Sequence, residues 1–486
     1  MHIETAVNIP KRALPFLSSI SNGYNVDVRT PLFNGEDRSK VADHWMSILS
    51  RNEEVFPELM EYESSQQSKI GPLSVRQPFT DRRSLVEDYY SNHRDVTIGL
   101  SELDFGNLPE GRRLRPISTL SSARQLPHGT NSGLPFFSKR RSVLEESISL
   151  ADKFEFHPAL LGWRGQSNGT PIPKQRVVWM FPFALNIAEA RYFRPLHNEL
   201  SINYQFAAWE SMDEVDIMIN SMFARERTIL SSDFSSYDQS LFSQQDWFFD
   251  YLVSRYQRSY EDEINELRLW FKTIPLVFSE NEMFTGEHGV PSGSTFTNQC
   301  DSIVNYLAQR SSPVVDSTTP IQVQGDDAVI IPTDIEKHLE FMNNLGFEMN
   351  ADKQLVSDTT VNYLQRLYHV KYRPDGVTRG VYPTMRALNS LLGQERYFQD
   401  WSSEMVSLRV IAILENVKWH PAFEDFVKFV VEFGDSSLKD NIRKAIIDNS
   451  VIDKAMAIPG LSPTYNQESG LRGLKSFKSV QILMSL

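Results

Sequence analysis

Strands and helices share this 486-residue chain, and the sequence predicts a mixed α+β fold on three observations. From about residue 225, short apolar runs alternate with stretches of helical periodicity. Within that region "IQVQGDDAVII" (Ile321–Ile331) reads as a hairpin with glycine and two aspartates at its tip. Beyond about residue 385 apolar residues recur at helical spacing, as Phe423, Phe426, Val427 and Val430 do, and predict helical core.

Taken in order, residues 1–95 carry no readable pattern. Residues 106–145 are rich in Gly, Pro, Ser and Arg ("GNLPEGRRLRP", "HGTNSGLPFFSKRR") and predict a basic loop. "GWRGQSNGTPIPKQRVVW" (Gly162–Trp179) predicts a second, holding Arg164, Lys174 and Arg176. "RTILSSD" predicts a strand ending at Asp233, and "SQQDWFFDYLVSRY" a helix. "TFTNQCDSIVNYLAQR" predicts another helix, entered from the Gly-rich "TGEHGVPSGS". In "PTDIEKHLEFMNNLG" Thr333 and Glu336 form a capping-box pattern, Ile335, Leu339 and Met342 share a face, and Gly346 marks the end. "VNYLQRLYHVKYRPDGVTRGVY" predicts strands about a Pro-Asp-Gly turn at 374–376. The last 30 residues, with "GLRGLKSFKS", predict a loose basic tail.

The length predicts two to four domains, or one large fold with subdomains. A hydrophobic share of 41% excludes a disordered chain. With Cys300 the only cysteine, no internal disulfide forms, which fits a reducing compartment. No run approaches the ~18 apolar residues of a membrane span. The N-terminus "MHIETAVNIPKRALPFLSSI" has no continuous apolar stretch, so no signal peptide is predicted. Lys and Arg total 49 against 62 Asp and Glu, a net charge of −13. That argues against a nonspecific nucleic-acid coat but leaves room for a local basic channel. No P-loop, zinc spacing or Ser-His-Asp elbow is present, and the ten histidines do not cluster.

Asp326 and Asp327 admit two readings: a turn that favours such residues, or a carboxylate pair for a hard cation such as Mg²⁺. Asp233, at a strand end with Asp238 five residues on, could serve the same metal; alone that pattern is weak. Ser292, Ser294, Thr295 and Thr297 at a helix start are ordinary capping residues or a place where a nucleotide approaches closely. Lys174 and Arg176 are surface charges or a triphosphate grip.

Their order discriminates. Ser292 follows Asp233 by 59 residues and Asp326 follows Ser292 by 34. With "TNSGLPFFSKR" (130–140), "PSGSTFTNQCDSIVN" and "GDD", the arrangement resembles the palm of a viral RNA-dependent RNA polymerase, picobirnavirus polymerases most closely and partitivirus polymerases as near relatives. The resemblance covers roughly residues 115–395. It implies a closed right hand of fingers, palm and thumb around an antiparallel palm sheet flanked by helices. The implied domains are an N-terminal extension bridging fingers and thumb (1–95), fingers (96–225 and 251–290), palm (226–250 and 291–372), and thumb with C-terminal tail (373–486).

Roles follow by resemblance. Asp233 and Asp326 hold two Mg²⁺ ions, with Mn²⁺ able to substitute, and Asp327 assists. Asp238 reads the ribose 2′-hydroxyl, while Ser292, Gly293 and Thr297 help select the nucleotide. Asp301 stands where many relatives carry asparagine. Two facing carboxylates repel unless one is protonated or bridged, so Asn298 and Asn305 both stay open as partners of Asp238. Lys174 and Arg176 cover the triphosphate, and Lys353 is the acid for pyrophosphate. Thr130, Gly133 and Pro135 resemble the template entrance. Lys139, Arg140 and Arg141 meet template phosphates, Arg164 joins the basic lining of an interior channel, and Gln365 and Arg366 support the primer terminus. The implied partners are RNA template and product, NTPs and a viral capsid protein, with no membrane, for a monomeric enzyme working in the virion interior in the host cytoplasm. It would replicate and transcribe double-stranded RNA segments, starting without a primer. A reverse transcriptase would carry an aromatic gate at position 238, and a noncatalytic RNA-binding capsid-associated protein would not need intact aspartates.

Overall fold

The structure, a computed structural model, describes residues 1–6, 8–92, 94, 96, 98–349, 354–395, 402–456 and 471–486. The chain divides into two compact units, the first formed by Met1–Gly23, Pro78–Trp163 and Val177–Leu364, the second by Tyr24–Gln77, Arg164–Arg176 and Gln365–Leu486. The first 95 residues are therefore not one body: 1–23 fold with the first unit and 24–77 with the second.

The strands β1 (His2–Thr5), β2 (Ala159–Gln166), β3 (Lys174–Met180), β5 (Leu276–Val277) and β6 (Glu282–Thr285) form a sheet of order β1-β6-β5-β2-β3, in which β2 belongs to the first unit through Trp163 and β3 from Val177. Its β2–β5 pair is parallel; β1–β6 and β5–β6 are antiparallel. The segment 162–179, expected to be loop, is strand at both ends and leaves only 167–173 between them. Its "LLGW" and "VVWM" ends are β-branched and aromatic enough to pair.

The second sheet carries the aspartates singled out in the sequence. It consists of β4 (Ile229–Ser232), β7 (Gln322–Gln324), β8 (Asp327–Ile330) and β9 (Leu355–Ser357), in the order β7-β8-β4-β9, antiparallel throughout. All four residues of β4 are buried. Its two serines are satisfied: Ser231 Oγ accepts from the Asn362 amide (3.1 Å) and Ser232 Oγ from Gln309 Nε2 (3.5 Å). Four helices of this unit matter to the site: α1 (Phe183–Leu200), α2 (Gln244–Arg255), α3 (Thr297–Ser311) and α4 (Ile335–Asn344). They bury Tyr192, Phe248, Phe249, Tyr306 and Met342 in a core shared with Trp179 and Phe271. Helix α4 is capped by Asp334, whose carboxylate accepts from the Lys337 amide, rather than by Thr333; Gly346 follows its end at φ 83° as expected.

The strand β10 (Thr360–Tyr363) closes the first unit and β11 (Arg366–His369) belongs to the second. Leu364 and Gln365 between them both take left-handed backbone, φ 49° and 64°. Gly376 also turns at φ 92°, and Leu367 bridges Val381 across that bend, so the Pro-Asp-Gly turn is present but is preceded by a sharper one.

The second unit is helical around Trp45, Leu388, Ile411 and Phe426. Glu63 is fully buried in it, accepting from the Thr384 and Met385 amides at the start of the helix Thr384–Leu392 (2.6 and 2.9 Å) and pairing with His420 (3.0 Å). Of the last 30 residues, expected to be loose, 471–486 are packed, and 457–470 lie outside the described residues. Leu474, Phe477, Val480 and Leu483 enter the core, and Glu415 caps the last helix through the Ser479 amide (2.9 Å). Among the described residues no helix is long and apolar enough to cross a membrane.

Candidate active site

Antiparallel pairing of β4 with β8 brings the separated aspartates to one edge. The register runs Leu230–Ile330, Ser231–Val329, Ser232–Ala328, so Asp233 follows the last pair and falls opposite Asp327, with Asp326 at the hairpin tip beside it. Asp326 is exposed; Asp233 and Asp327 are half-buried. Gly325 makes the tip at φ 61°, where a side chain would be strained. One stripe of α3 fixes this tip. The Gly325 amide donates to Ser302 Oγ (2.9 Å), Asn305 Nδ2 donates to the carbonyls of Gly325 (2.9 Å) and Asp327 (3.4 Å), and Gln309 donates to Asn305 Oδ1 (3.1 Å). Gln354 Nε2 holds the Asp233 carbonyl (2.9 Å). The main chain is thus pinned on both sides while the carboxylates project at the edge. Among the described residues no three His, Cys, Asp or Glu side chains form a ready-made metal cage. Carboxylates on two strand ends nevertheless are the donor set of a hard cation that completes its shell with water and substrate oxygens.

Behind this edge lies Asp301 of α3, buried and with Oδ1 lacking a hydrogen-bond partner. Burial, then the charges of Asp238 and Asp326, push its carboxyl well above the usual range, which favours its neutral form. That bears on the repulsion between two carboxylates, because burial opposes the ionised form of Asp301. Asn305 is spent on the hairpin. The Tyr237 hydroxyl donates to the Asp301 carbonyl (3.0 Å), and its ring stacks on Phe234 (4.8 Å) and Phe347 (5.8 Å), which fixes the short helical turn carrying Asp238. Because a neutral acid and an amide are close in shape and charge, Asp301→Asn is expected to keep RNA synthesis within about fivefold of wild type, under ~1 kcal/mol; a loss beyond a hundredfold in steady-state assays would refute the neutral assignment.

The loop 286–297 is seated by residues that sequence reading missed. A Cβ at Gly293 would stand 1.7 Å from the Trp179 carbonyl oxygen, so only glycine fits. The Trp179 amide donates to Ser292 Oγ (3.2 Å), and the Val290 amide to the Asp238 carbonyl (2.6 Å). From α1, Glu189 accepts from Ser294 Oγ and from the Thr295 amide, both at 2.7 Å. Asn186, one turn earlier, donates to the Gly293 carbonyl (3.0 Å). Arg140 donates to Asn186 Oδ1 (2.7 Å) and lies over the Phe183 ring (4.7 Å), so this cation braces the loop's seat. Burial lowers its pKa to about 10. The available signal was a polar pair, Asn186 and Glu189, at helical spacing inside the otherwise buried run Phe183–Ala190.

Burial raises Glu189 to about 7. Its neutral form therefore contributes stability that is complete below pH 4.5 and lost as pH rises through 7, about 3 kcal/mol by linkage. Glu189→Gln, which is neutral throughout, should gain on the wild type by several degrees in Tm between pH 5 and pH 8. A gap independent of pH in thermal melts would contradict this.

The remaining predicted residues are placed as follows. Thr297 Oγ1 donates to the Pro291 carbonyl (2.7 Å), closing the loop at the start of α3. Thr130 and Pro135 are half-buried, Gly133 is buried, and Lys139 and Arg141 are exposed, all in the first unit with the aspartates. Lys174 and Arg176 lie in the second unit, exposed on one face of β3 with Gln175 buried between them. Arg164 is ion-paired to Glu395 (3.0 Å), its charge balanced locally. Gln365 is exposed. Arg366 is buried and donates to the carbonyls of Gly380 (3.1 Å) and Asn416 (3.3 Å), which makes it a brace within its unit rather than a group facing RNA. Lys353 lies outside the described residues.

Residues 171–376 match the family described as viral RNA-dependent RNA polymerase. Over 98% of the chain, and 97% of the relative, the sequence is 32% identical to a potential RNA-dependent RNA polymerase of human picobirnavirus (strain Human/Thailand/Hy005102/-). The chain belongs to the viral RNA-dependent RNA polymerases. Half of the polymerase also matches, at 26% identity and over 52% of that protein, an RNA-directed RNA polymerase of Cryptosporidium parvum virus 1. Its structure superposes on the crystal structure of a human picobirnavirus RNA-dependent RNA polymerase with a TM-score of 0.88 at 30% identity, covering 99% of this chain and 98% of the other. An insertion-loop deletion mutant of such a polymerase matches at 0.87. The polymerase accordingly has the mixed α and β right-hand fold, with the sheet β7-β8-β4-β9 as its antiparallel palm.

Proposed function

We propose that this polymerase copies RNA templates by two-metal nucleotidyl transfer at Asp233, Asp326 and Asp327, for replication and transcription of a double-stranded RNA virus genome, and starts without a primer. The observation that carries this reading is the meeting of Asp233 with Asp326 and Asp327 at one edge of the β4–β8 pair. Two bound Mg²⁺ ions (Mn²⁺ as substitute) would activate the 3′-hydroxyl and offset charge on the departing pyrophosphate. The protein's own residues do the rest. Asp238, beside Asp301, accepts the ribose 2′-hydroxyl. The seated loop at Ser292, Gly293 and Thr297 shapes the nucleotide pocket, and Lys174 and Arg176 meet the triphosphate. In this reading 96–225 and 251–290 are fingers, 226–250 and 291–372 palm, 373–486 thumb and tail. The enzyme works as a monomer beside its capsid protein, inside the virion in the host cytoplasm.

The test is primer-free synthesis. Purified protein receives a single-stranded RNA template, four NTPs and Mg²⁺. Full-length labelled product supports the reading, and product only with a supplied primer removes the initiation claim. Product only from dNTPs would make it a reverse transcriptase. Asp238→Ala is expected to lower the preference for NTPs over dNTPs by about tenfold or more, since the hydrogen bond that the 2′-hydroxyl donates to the Asp238 carboxyl is lost; unchanged discrimination in competition assays would remove Asp238 from that role.

A further inference from the structure

Three unusual features of the second unit meet at one surface cavity. The first is a run of left-handed backbone, Phe33, Asn34 and Gly35 at φ 56°, 50° and 71°. Asparagine and glycine tolerate that conformation, but a phenylalanine there costs ~1–3 kcal/mol and persists only where the surroundings impose it. The second is a π-helical turn, Val430–Gly434, that ends the helix Phe423–Phe429; such turns recur at functional sites. The two features touch: a Cβ on Gly434 would stand 3.2 Å from Cζ of Phe33. The third is the cavity itself, about 330 Å³, lined by Phe33, Glu36, His44, Phe429, Glu432 and Phe433 among others.

Its rings form a connected wall. Phe33 and Phe429 lie 5.7 Å apart, Phe429 and Phe433 5.3 Å, and His44 meets Phe433 edge-on at 4.5 Å. Phe433 is 45% exposed, so one wall is open to solvent. Both glutamates are exposed at the rim. Of the neighbouring cations, Lys428 pairs directly with Glu424 (2.8 Å), with Glu432 a lesser charge acting on it, and the Arg29 guanidinium donates to the Glu36 carbonyl, not its carboxylate. The exposed rings of Phe433 and His44, backed by the buried Phe33 and Phe429 and with two carboxylates at the rim, suit a planar cation, which stacks on the open rings and offers paired donors to a carboxylate. The net charge of −13 draws a basic partner to the surface generally, and this cavity offers both rings and acids to hold one side chain.

We propose that this cavity is a binding site for an arginine side chain presented by a basic peptide segment of a protein partner. A lysine would bind more weakly, because a compact ammonium neither stacks flat nor forks.

The test uses the full-length polymerase and a fluorescein-labelled twelve-residue peptide of glycine, serine and three arginines, read by fluorescence anisotropy near physiological salt. Saturable binding is expected, lost when citrulline replaces arginine. The paired change Glu36→Gln and Glu432→Gln, and separately Phe433→Ala, should each weaken it at least ~10-fold, with RNA synthesis and Tm unchanged. Equal binding by wild type and both variants would show general attraction to an acidic protein and overturn the site. So would the absence of saturation, or a fluorescein-labelled RNA oligonucleotide in place of the peptide whose binding these same variants abolish.

Discussion

Asp326→Asn is expected to lower RNA synthesis at least ~10³-fold, about 4 kcal/mol of transition-state stabilisation, while leaving Tm unchanged or slightly raised. The two halves of that expectation come from different features. The hairpin tip is held by its main chain, through Ser302 and Asn305 of α3, so the Asp326 side chain can change without releasing the turn. Its charge is also a burden on the fold, because it is among the causes that push Asp301 and Tyr237 upward. An amide removes that repulsion and keeps the shape. What it cannot do is supply an anionic oxygen to a hard cation. Asp233→Asn should behave alike in activity, and Asp327→Asn should lose less. Single-nucleotide extension beside thermal melts decides the matter: activity within tenfold of wild type would detach Asp326 from the chemistry, and a fall of several degrees in Tm would make the loss one of folding.

The parts of this site that were legible in the sequence are those built from neighbours in the chain. A strand ending in aspartate, a Gly-Asp-Asp tip between apolar residues and a helix entered from a Gly-Ser loop are local patterns, and β4, β7, β8 and α3 appear where they were expected. The capping of α4 shows the limit of such patterns, since Thr333 and Asp334 are both good caps and only the entry angle of the chain selects Asp334. The parts that stayed hidden depend on partners far away. Glu189 is an unremarkable helical glutamate until Ser294 and Thr295, more than a hundred residues later, arrive against it. Arg140 reads as a free cation in a basic loop, yet it is spent on Asn186 and Phe183. Arg366 reads as a group for RNA, yet two carbonyls of its own unit take it. The segment 162–179 looked like loop because its Gly and Pro residues are conspicuous, while the strands on either side gain their stability from pairing that a single sequence does not display.

Gly293→Ala is the second large effect expected, and it tests the seat rather than the metal edge. The added methyl carbon would stand 1.7 Å from the Trp179 carbonyl oxygen, a contact that no side-chain rotation relieves because the backbone fixes the Cβ position and the oxygen belongs to the main chain. The loop must therefore lift off β3. The bonds that go with it are those of Ser292 to the Trp179 amide, of Asn186 to the Gly293 carbonyl, and of Glu189 to Ser294 and Thr295. Thr297, at the first turn of α3, and Asp238, whose carbonyl holds the Val290 amide, are the proposed nucleotide-binding residues on either side. A displacement of about 1 Å at a substrate-positioning group costs on the order of 10²-fold in rate, so kcat/KM for the incoming nucleotide should fall by that factor or more. The palm sheet and its aspartates do not depend on this loop, so they should survive. The variant should then keep most of its Tm, and binding of the RNA template should change little. A variant that is fully active would mean that the loop reseats without cost. One that loses template binding and nucleotide use together would mean that the seat supports the whole unit rather than the nucleotide pocket.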